Sequence, residues 1–253
     1  MIIGLDDVSF AYSEQPLFDG LRLTVPEGVT AVMGPNGAGK STLLSIMIGW
    51  LKPSRGRVEW FGTAVSGFDR RRRAQVVGMV STDAALPFAY SVRDYVLLGR
   101  GPHIAPLAQP TAADEEHAVR AMEEVGITVL AERSVQELSS GEQQLAQIAR
   151  CIAQNPRIIL MDEPAGHLDP ANSRRLSSLL RALAQRGVNI VFTSHDPLFS
   201  KANAAHAILM RRGGLFRAGP CDHVVTADNL SALYQVPFRD IPDGARTLPV
   251  FEL

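Results

Sequence analysis

Nine consecutive residues, Gly34-Pro35-Asn36-Gly37-Ala38-Gly39-Lys40-Ser41-Thr42, have the make-up of a phosphate cradle. They fit the P-loop spacing G-x-x-x-x-G-K-[ST]. Glycines at 34, 37 and 39 let the backbone turn tightly, so that its N–H groups point at one anion. Lys40 is long enough to reach the outer phosphates of a nucleotide. The Ser41 hydroxyl can ligate Mg²⁺, and Thr42 is a further phosphate donor. Downstream, the apolar run Ile158–Met161 ends in Asp162-Glu163. Such a run is typical of a buried parallel strand, and ligands of open α/β sheets sit at the carboxyl ends of strands. Asp162 is therefore placed to hold Mg²⁺, directly or through water, and Glu163 to polarise an attacking water. A second strand, Val188–Thr193, leads into Ser194-His195-Asp196, which puts His195 where a terminal phosphate is expected. Tyr12, ahead of the cradle, offers an aromatic face on which a purine can stack.

The elements that must hold these groups are legible from periodicity. Val29–Met33 is apolar and β-prone, and Ser41–Ile48 carries Leu43, Leu44, Met47 and Ile48 at helical spacing. The cradle thus lies between a strand and a helix, whose N-terminus adds partial positive charge. Residues 1–32 alternate apolar and polar, which predicts strands around Ile2-Ile3, Val8–Phe10 and Leu21–Val25 in a small antiparallel layer. Val58–Phe61 and Val76–Val80 read as further strands. Arg70–Arg73 reads as the solvated face of a helix.

From Ala84 the character becomes helical. Ser91-x-x-Asp94 and Thr111-x-x-Asp114 are capping boxes, and Leu138–Glu142 opens a helix with Leu145, Ile148 and Ile152 as its stripe. By themselves, Ser139 and Glu142 make a third capping box. Asp169-Pro170 starts another helix, with Asp as cap and Pro at the first position. A hairpin around Gly213-Gly214 closes the sheet, and Thr226 or Asp228 caps a short helix ending near Tyr234. Pro237–Leu253 reads as a Pro-rich tail. The fold expected is α/β. It has a P-loop NTPase (RecA-like) core with an antiparallel β layer, over 1–83 and 156–225. A helical insertion subdomain covers 84–155, and a short helix and tail cover 226–253.

Composition sets the outer bounds. The chain has 253 residues, 46% of them hydrophobic and 20% charged, with a net charge of −1. That balance excludes electrostatic binding of nucleic acid by the molecule as a whole. Two cysteines, Cys151 and Cys221, make neither a disulfide framework nor a zinc site, and a reducing cytosol is the simplest setting. No apolar run is long enough to span a bilayer, and Met1–Phe10 lacks the pattern of a signal peptide.

Taken in order, Tyr12, the P-loop, Leu138-Ser-Ser-Gly-Glu142, Asp162-Glu163, Ala165-Gly-His-Leu-Asp169 and His195 resemble one family, the ATP-binding cassette ATPases, across essentially the whole chain. The resemblance implies that two copies pack head to tail, with ATP and Mg²⁺ between the P-loop of one and the signature segment of the other. It implies that Tyr12 stacks the adenine, and that Ser139, Ser140, Gly141 and Glu142 face the partner's ATP. It further implies that Glu163 is the general base, that His195 braces the γ-phosphate, and that Asp169 links the two sites. Two positions depart from the family pattern. Thr82 stands where a Gln usually follows the strand Val76–Val80, and Leu138-Ser-Ser-Gly-Glu142 replaces the common LSGGQ. Both bear on hydrolysis and coupling, not on nucleotide binding.

Pro87–His103, with Phe88-Ala-Tyr-Ser-Val92 inside it, and Asn229–Tyr234 look similar to importers of metal chelates. That group covers iron complexes, haem, cobalamin and molybdate or tungstate. The partners it implies are transmembrane permease subunits and, through them, a substrate-binding protein. The expected location is peripheral, on the cytoplasmic face of the inner membrane. Two other readings compete: a nucleotide-binding regulator that hydrolyses little, and a soluble cassette ATPase outside transport. Only 23 residues, 139–161, separate Leu138 from Asp162. That leaves no room for the coiled-coil insertion of the soluble class.

Overall fold

The computed structural model describes residues 1–81, 88–166, 168–243 and 246–251. Thr82 and His167 therefore lie outside the described residues. The chain forms two compact units, Met1–Phe68 with Asn189–Leu253, and Asp69–Val188.

In the first unit, β1 (Ile3–Ala11) runs antiparallel to both β2 (Pro16–Val25) and the later β4 (Arg55–Trp60). Its apolar residues alternate inward, with Ile3, Leu5, Val8 and Phe10 buried. The two strands expected near Ile2 and Val8 are one strand, carried past register shifts between Leu5 and Phe10. Between β2 and β4 come β3 (Val29–Met33) and α1 (Lys40–Met47). The short β5 (Thr63–Ala64) pairs with β4. Every residue of β3 is buried, as its unbroken apolar run requires.

The second unit opens on α2 (Arg70–Val76), capped by Asp69, and β6 (Val77–Val80). The arginine run is not only a solvated face: Arg71 donates through Nε to the Pro102 carbonyl at 2.8 Å and through Nη2 to that of His103 at 3.2 Å. The helices α3 (Val92–Leu97), α4 (Ala112–Val125) and α5 (Ser140–Ala153) follow, then β7 (Ile158–Met161) and α6 (Pro170–Gln185). Their caps are the ones read from the sequence. Ser91, Thr111, Ser139 and Asp169 each accept a backbone N–H three residues on. β6 and β7 are parallel, with Val80 opposite Met161.

A buried ion pair ties this helical region together. Arg100 Nε donates to Asp114 Oδ1 at 3.0 Å, and Arg100 Nη1 to the Ala153 carbonyl at 2.9 Å. Thr111 donates its N–H and its hydroxyl to Asp114 Oδ2, at 3.0 and 2.7 Å. Those hydrogen bonds, and then Arg100, push the Asp114 carboxyl down from 3.8 to about 2. A lowered folded-state value means that the stabilisation is present above the unfolded value and lost as pH falls from about 4 towards 2. It is worth about 2 kcal/mol at neutral pH. Asp114→Ala is expected to cost about 3–5 kcal/mol, because it strands a buried guanidinium. Denaturant unfolding at pH 7 and pH 3 checks both statements, since the variant's deficit should shrink at the lower pH.

The chain then returns to the first unit with β8 (Asn189–Ser194), α7 (Pro197–Asn203), β9 (His206–Arg211) and β10 (Gly214–Pro220). β3 pairs in parallel with β8 on one side and β9 on the other, and β10 closes antiparallel on β9. The short α8 (Cys221–Val224) and α9 (Ala227–Tyr234) follow, the latter capped by Thr226. The Pro-rich tail, in which no strand was expected, forms a hairpin, β11 (Phe238–Asp243) with β12 (Arg246–Phe251). It packs on α9 and α7, and a run of rings, Tyr234, Phe238 and Phe251, joins it to α9. Both cysteines are buried thiols, and burial pushes Cys151 up to about 12. Among the described residues, no helix is long and apolar enough to cross a membrane.

Candidate functional site

The cradle joins the end of β3 to the start of α1. Gly39 is the N-cap of α1, in the left-handed region at φ 93°, and no side chain caps this end of the helix. The N–H groups of its first turn therefore face outward without a carboxylate or hydroxyl from the cap position. A Cβ on Gly39 would lie 2.8 Å from the Phe18 ring, and one on Gly34 would collide with the Met210 carbonyl oxygen. Both positions thus require glycine for space as well as for turning. Neither Phe18 nor Met210 was flagged by motif, because each reaches the loop from a distant strand.

Lys40 is 7% exposed. Its Nζ donates to the carbonyl oxygens of Gly34, at 2.8 Å, and Pro35, at 3.3 Å. An ammonium held across a loop that leads into an uncapped helix N-terminus is the chemistry of polyanion binding. The Thr42 hydroxyl lies 3.2 Å from the Tyr12 phenol oxygen. The Tyr12 ring meets Phe10 edge-on at 4.9 Å and is 70% exposed, so a broad aromatic face stays accessible beside the cradle. The hydroxyl bond ties this ring to the last residue of the P-loop.

His195 belongs to the same unit. Met33 of β3 pairs with Ser194 of β8, so Gly34 and His195 leave two adjacent strands at the same level. The turn after His195 is fixed locally. Ser194 Oγ accepts the Asp196 N–H at 2.9 Å, and Asp196 caps α7 by accepting from Leu198 and Phe199. The first unit therefore brings together Tyr12, the whole cradle and His195.

The second unit holds the carboxylates and the signature segment. Asp162 follows the fully buried β7, is itself 9% exposed, and donates its N–H to the Val80 carbonyl at 2.8 Å. Glu163 adopts φ 44°, a left-handed conformation unusual for a non-glycine residue. Such conformations cost about 1 kcal/mol or more and cluster at functional sites. The bend is closed by the Gly166 N–H on the Glu163 carbonyl at 3.0 Å. The side chain is half-buried, which suits a carboxylate that must meet a water. Asp169 caps α6 through the Asn172 N–H at 2.7 Å.

Ser139 and Glu142 form the capping box in full. Glu142 Oε2 accepts both the N–H and the hydroxyl of Ser139 at 2.8 Å, and the Ser139 hydroxyl oxygen accepts the Glu142 N–H at 3.3 Å. Those bonds, with Arg133 adding a smaller attraction, hold the Glu142 carboxyl below its ordinary range. Ser139 and Ser140 are exposed, and Gly141 and Glu142 are half-buried. Arg133, 4.0 Å from Glu142, carried no motif signal.

The chain matches the family model described as ABC transporter over residues 18–166. It is 37% identical to the molybdate import ATP-binding protein MolC of Haemophilus influenzae, over 93% of this chain and 88% of that protein. It is 32% identical to the ferric enterobactin transport ATP-binding protein FepC of Escherichia coli, over 97% and 91%. Among solved structures it resembles a metal-chelate type ABC transporter in an inward-facing conformation, with 33% identity and a TM-score of 0.85 over 99% of this chain and 96% of that one.

Proposed function

Since the chain belongs to the ABC transporter family and is an ATPase, we propose that it powers an importer of a metal chelate or oxyanion, such as an iron complex or molybdate. It works as a head-to-tail pair docked on transmembrane permease subunits, at the cytoplasmic face of the inner membrane, with a substrate-binding protein delivering the cargo. Nucleotide handling is assigned to 1–83 and 156–225, and 84–155 presents the signature segment to the partner copy.

The observation that carries the ATP site is the cradle itself, with uncapped N–H groups at α1 and the Lys40 ammonium held over the loop. Triphosphate oxygens form stronger, charge-assisted hydrogen bonds with an ammonium than neutral carbonyls do. Tyr12 supplies the stacking face for adenine, and Thr42 a further hydroxyl beside the phosphates. The Ser41 hydroxyl and the Asp162 carboxylate are hard oxygen donors that would hold Mg²⁺, which when bound offsets phosphate charge. Glu163 takes a proton from the attacking water, and His195 donates to a γ-phosphate oxygen. Ser139 and Gly141 reach the partner's γ-phosphate from the N-terminus of α5, so the site is complete only when two copies close. ATP favours the closed pair and ADP does not, and that differential affinity is what turns hydrolysis into movement.

The import reading is supported by the likeness to import subunits along nearly the whole chain. Its test is elemental. Cells carrying Lys40→Ala in place of the native protein should accumulate less molybdenum, tungsten or iron, measured by mass spectrometry of washed cells. The tagged native chain should also bring down a polytopic membrane protein in mild detergent. Unchanged metal contents together with no membrane partner would remove the import assignment.

A further inference from the structure

We propose that Glu142 is a built-in competitor for the site its own helix offers to the partner's ATP, and that Arg133 is the group that takes its carboxylate away. The inference rests on the reading of Ser139 as a donor to the partner's γ-phosphate. In the single chain that hydroxyl is already given to Glu142 Oε2, at 2.8 Å, as is the Ser139 N–H. The carboxylate therefore sits on the donors at the head of α5, where the helix favours negative charge. A γ-phosphate arriving there needs the same hydroxyl and meets a like charge beside it. Pairing around ATP consequently requires Glu142 to let go.

The surroundings let it do so without unravelling the turn. Gln143 Nε2 donates to the carbonyls of Val135, at 3.3 Å, and Leu138, at 3.2 Å, so the approach to α5 is pinned independently of Glu142. Arg133 Nη1 is 4.0 Å from Glu142 Oε1, the oxygen that does not hold Ser139. Its Nη2 is anchored on the Glu137 carbonyl at 3.3 Å. The guanidinium is thus parked one short swing from the carboxylate. The resting arrangement gives Glu142 to Ser139, and the closed arrangement gives it to Arg133. Arg133 is a positioning residue that acts through Glu142, and the exchange sets a threshold on closure.

The test uses full-length protein carrying Glu163→Gln, so that ATP is not consumed, and reads the ATP-driven monomer–dimer equilibrium by sedimentation. Gln at 142 keeps the capping box, so Glu142→Gln preserves the helix start. It is expected to tighten pairing by about tenfold. Arg133→Gln should weaken pairing by a similar factor, and Arg133→Lys should restore part of it. In the Glu142→Gln background, Arg133→Gln should have no further effect, because nothing is left for Arg133 to receive. Pairing unchanged or weakened by Glu142→Gln overturns the inference. So does an Arg133→Gln loss that persists in that background, which would mean a direct pull on phosphate. Ser139→Gly separates this from failure of the underlying reading. It removes the hydroxyl at little cost to the cap, and if pairing survives it undiminished, the signature role itself falls.

Discussion

Glu163→Gln is expected to lower ATP turnover by about 10²–10⁴-fold while leaving ATP affinity near that of the native chain, because a positioned general base contributes about that much. Gln fills the same volume as Glu and can follow the same left-handed backbone turn at φ 44°. Phosphate binding should not change, since the cradle lies elsewhere in the chain. What goes is the proton acceptor for water. An ATP-bound pair should therefore accumulate in place of a cycling one. Phosphate release, and sedimentation in ATP against ADP, measure the two effects together. A variant that turns over at the native rate would take the base role from Glu163. One that fails to bind ATP would show the carboxylate to be structural.

Lys40→Ala should weaken ATP binding by about 10²–10³-fold and take hydrolysis below detection. A charge-assisted hydrogen bond is worth about 1.5–3 kcal/mol, and the ammonium can make two to adjacent phosphates. The side chain also bridges the Gly34 and Pro35 carbonyls across the loop. Its loss should therefore loosen the loop as well as remove charge. Arg is no rescue, because its planar fork does not replace a compact ammonium in a pocket where Lys40 is 7% exposed. Calorimetry with ATP reads the affinity, and a melting midpoint in the absence of nucleotide reads the loop. Native-like affinity would remove Lys40 from the site. A large fall in the midpoint together with lost binding would assign it to the fold first.

Part of this architecture was readable because it is local. The cradle is one uninterrupted stretch, and its chemistry follows from residue order alone. The caps at Ser91, Thr111, Ser139 and Asp169 are short-range hydrogen bonds spanning three residues, and each forms as its motif predicts, while of the two candidates for α9, Thr226 and Asp228, Thr226 is the cap. The closing hairpin at Gly213-Gly214 was legible for the same reason.

The C-terminal ribbon was hidden by its own residues. Pro242 and Pro249 argue against a strand in a sheet interior. A two-stranded ribbon leaves each strand an outer edge where a missing N–H is tolerated, and here Pro249 faces Asp240 and Pro242 faces Thr247. Arg71 looked like one of four equivalent surface cations until the fold brought the Pro102 and His103 carbonyls to it.

Chain order alone determined the kind of chemistry this protein carries, because backbone turning, helix capping and strand burial each act over a few neighbouring residues. Tertiary structure alone decided that Phe18 forbids a side chain on Gly39 and Met210 one on Gly34, and that Glu163 is bent into a left-handed turn. It also decided that Arg133 waits beside Glu142. The contacts of Phe18 and Met210 with the cradle depend on which distant segments the packed core presses together, and no spacing rule along the chain encodes that.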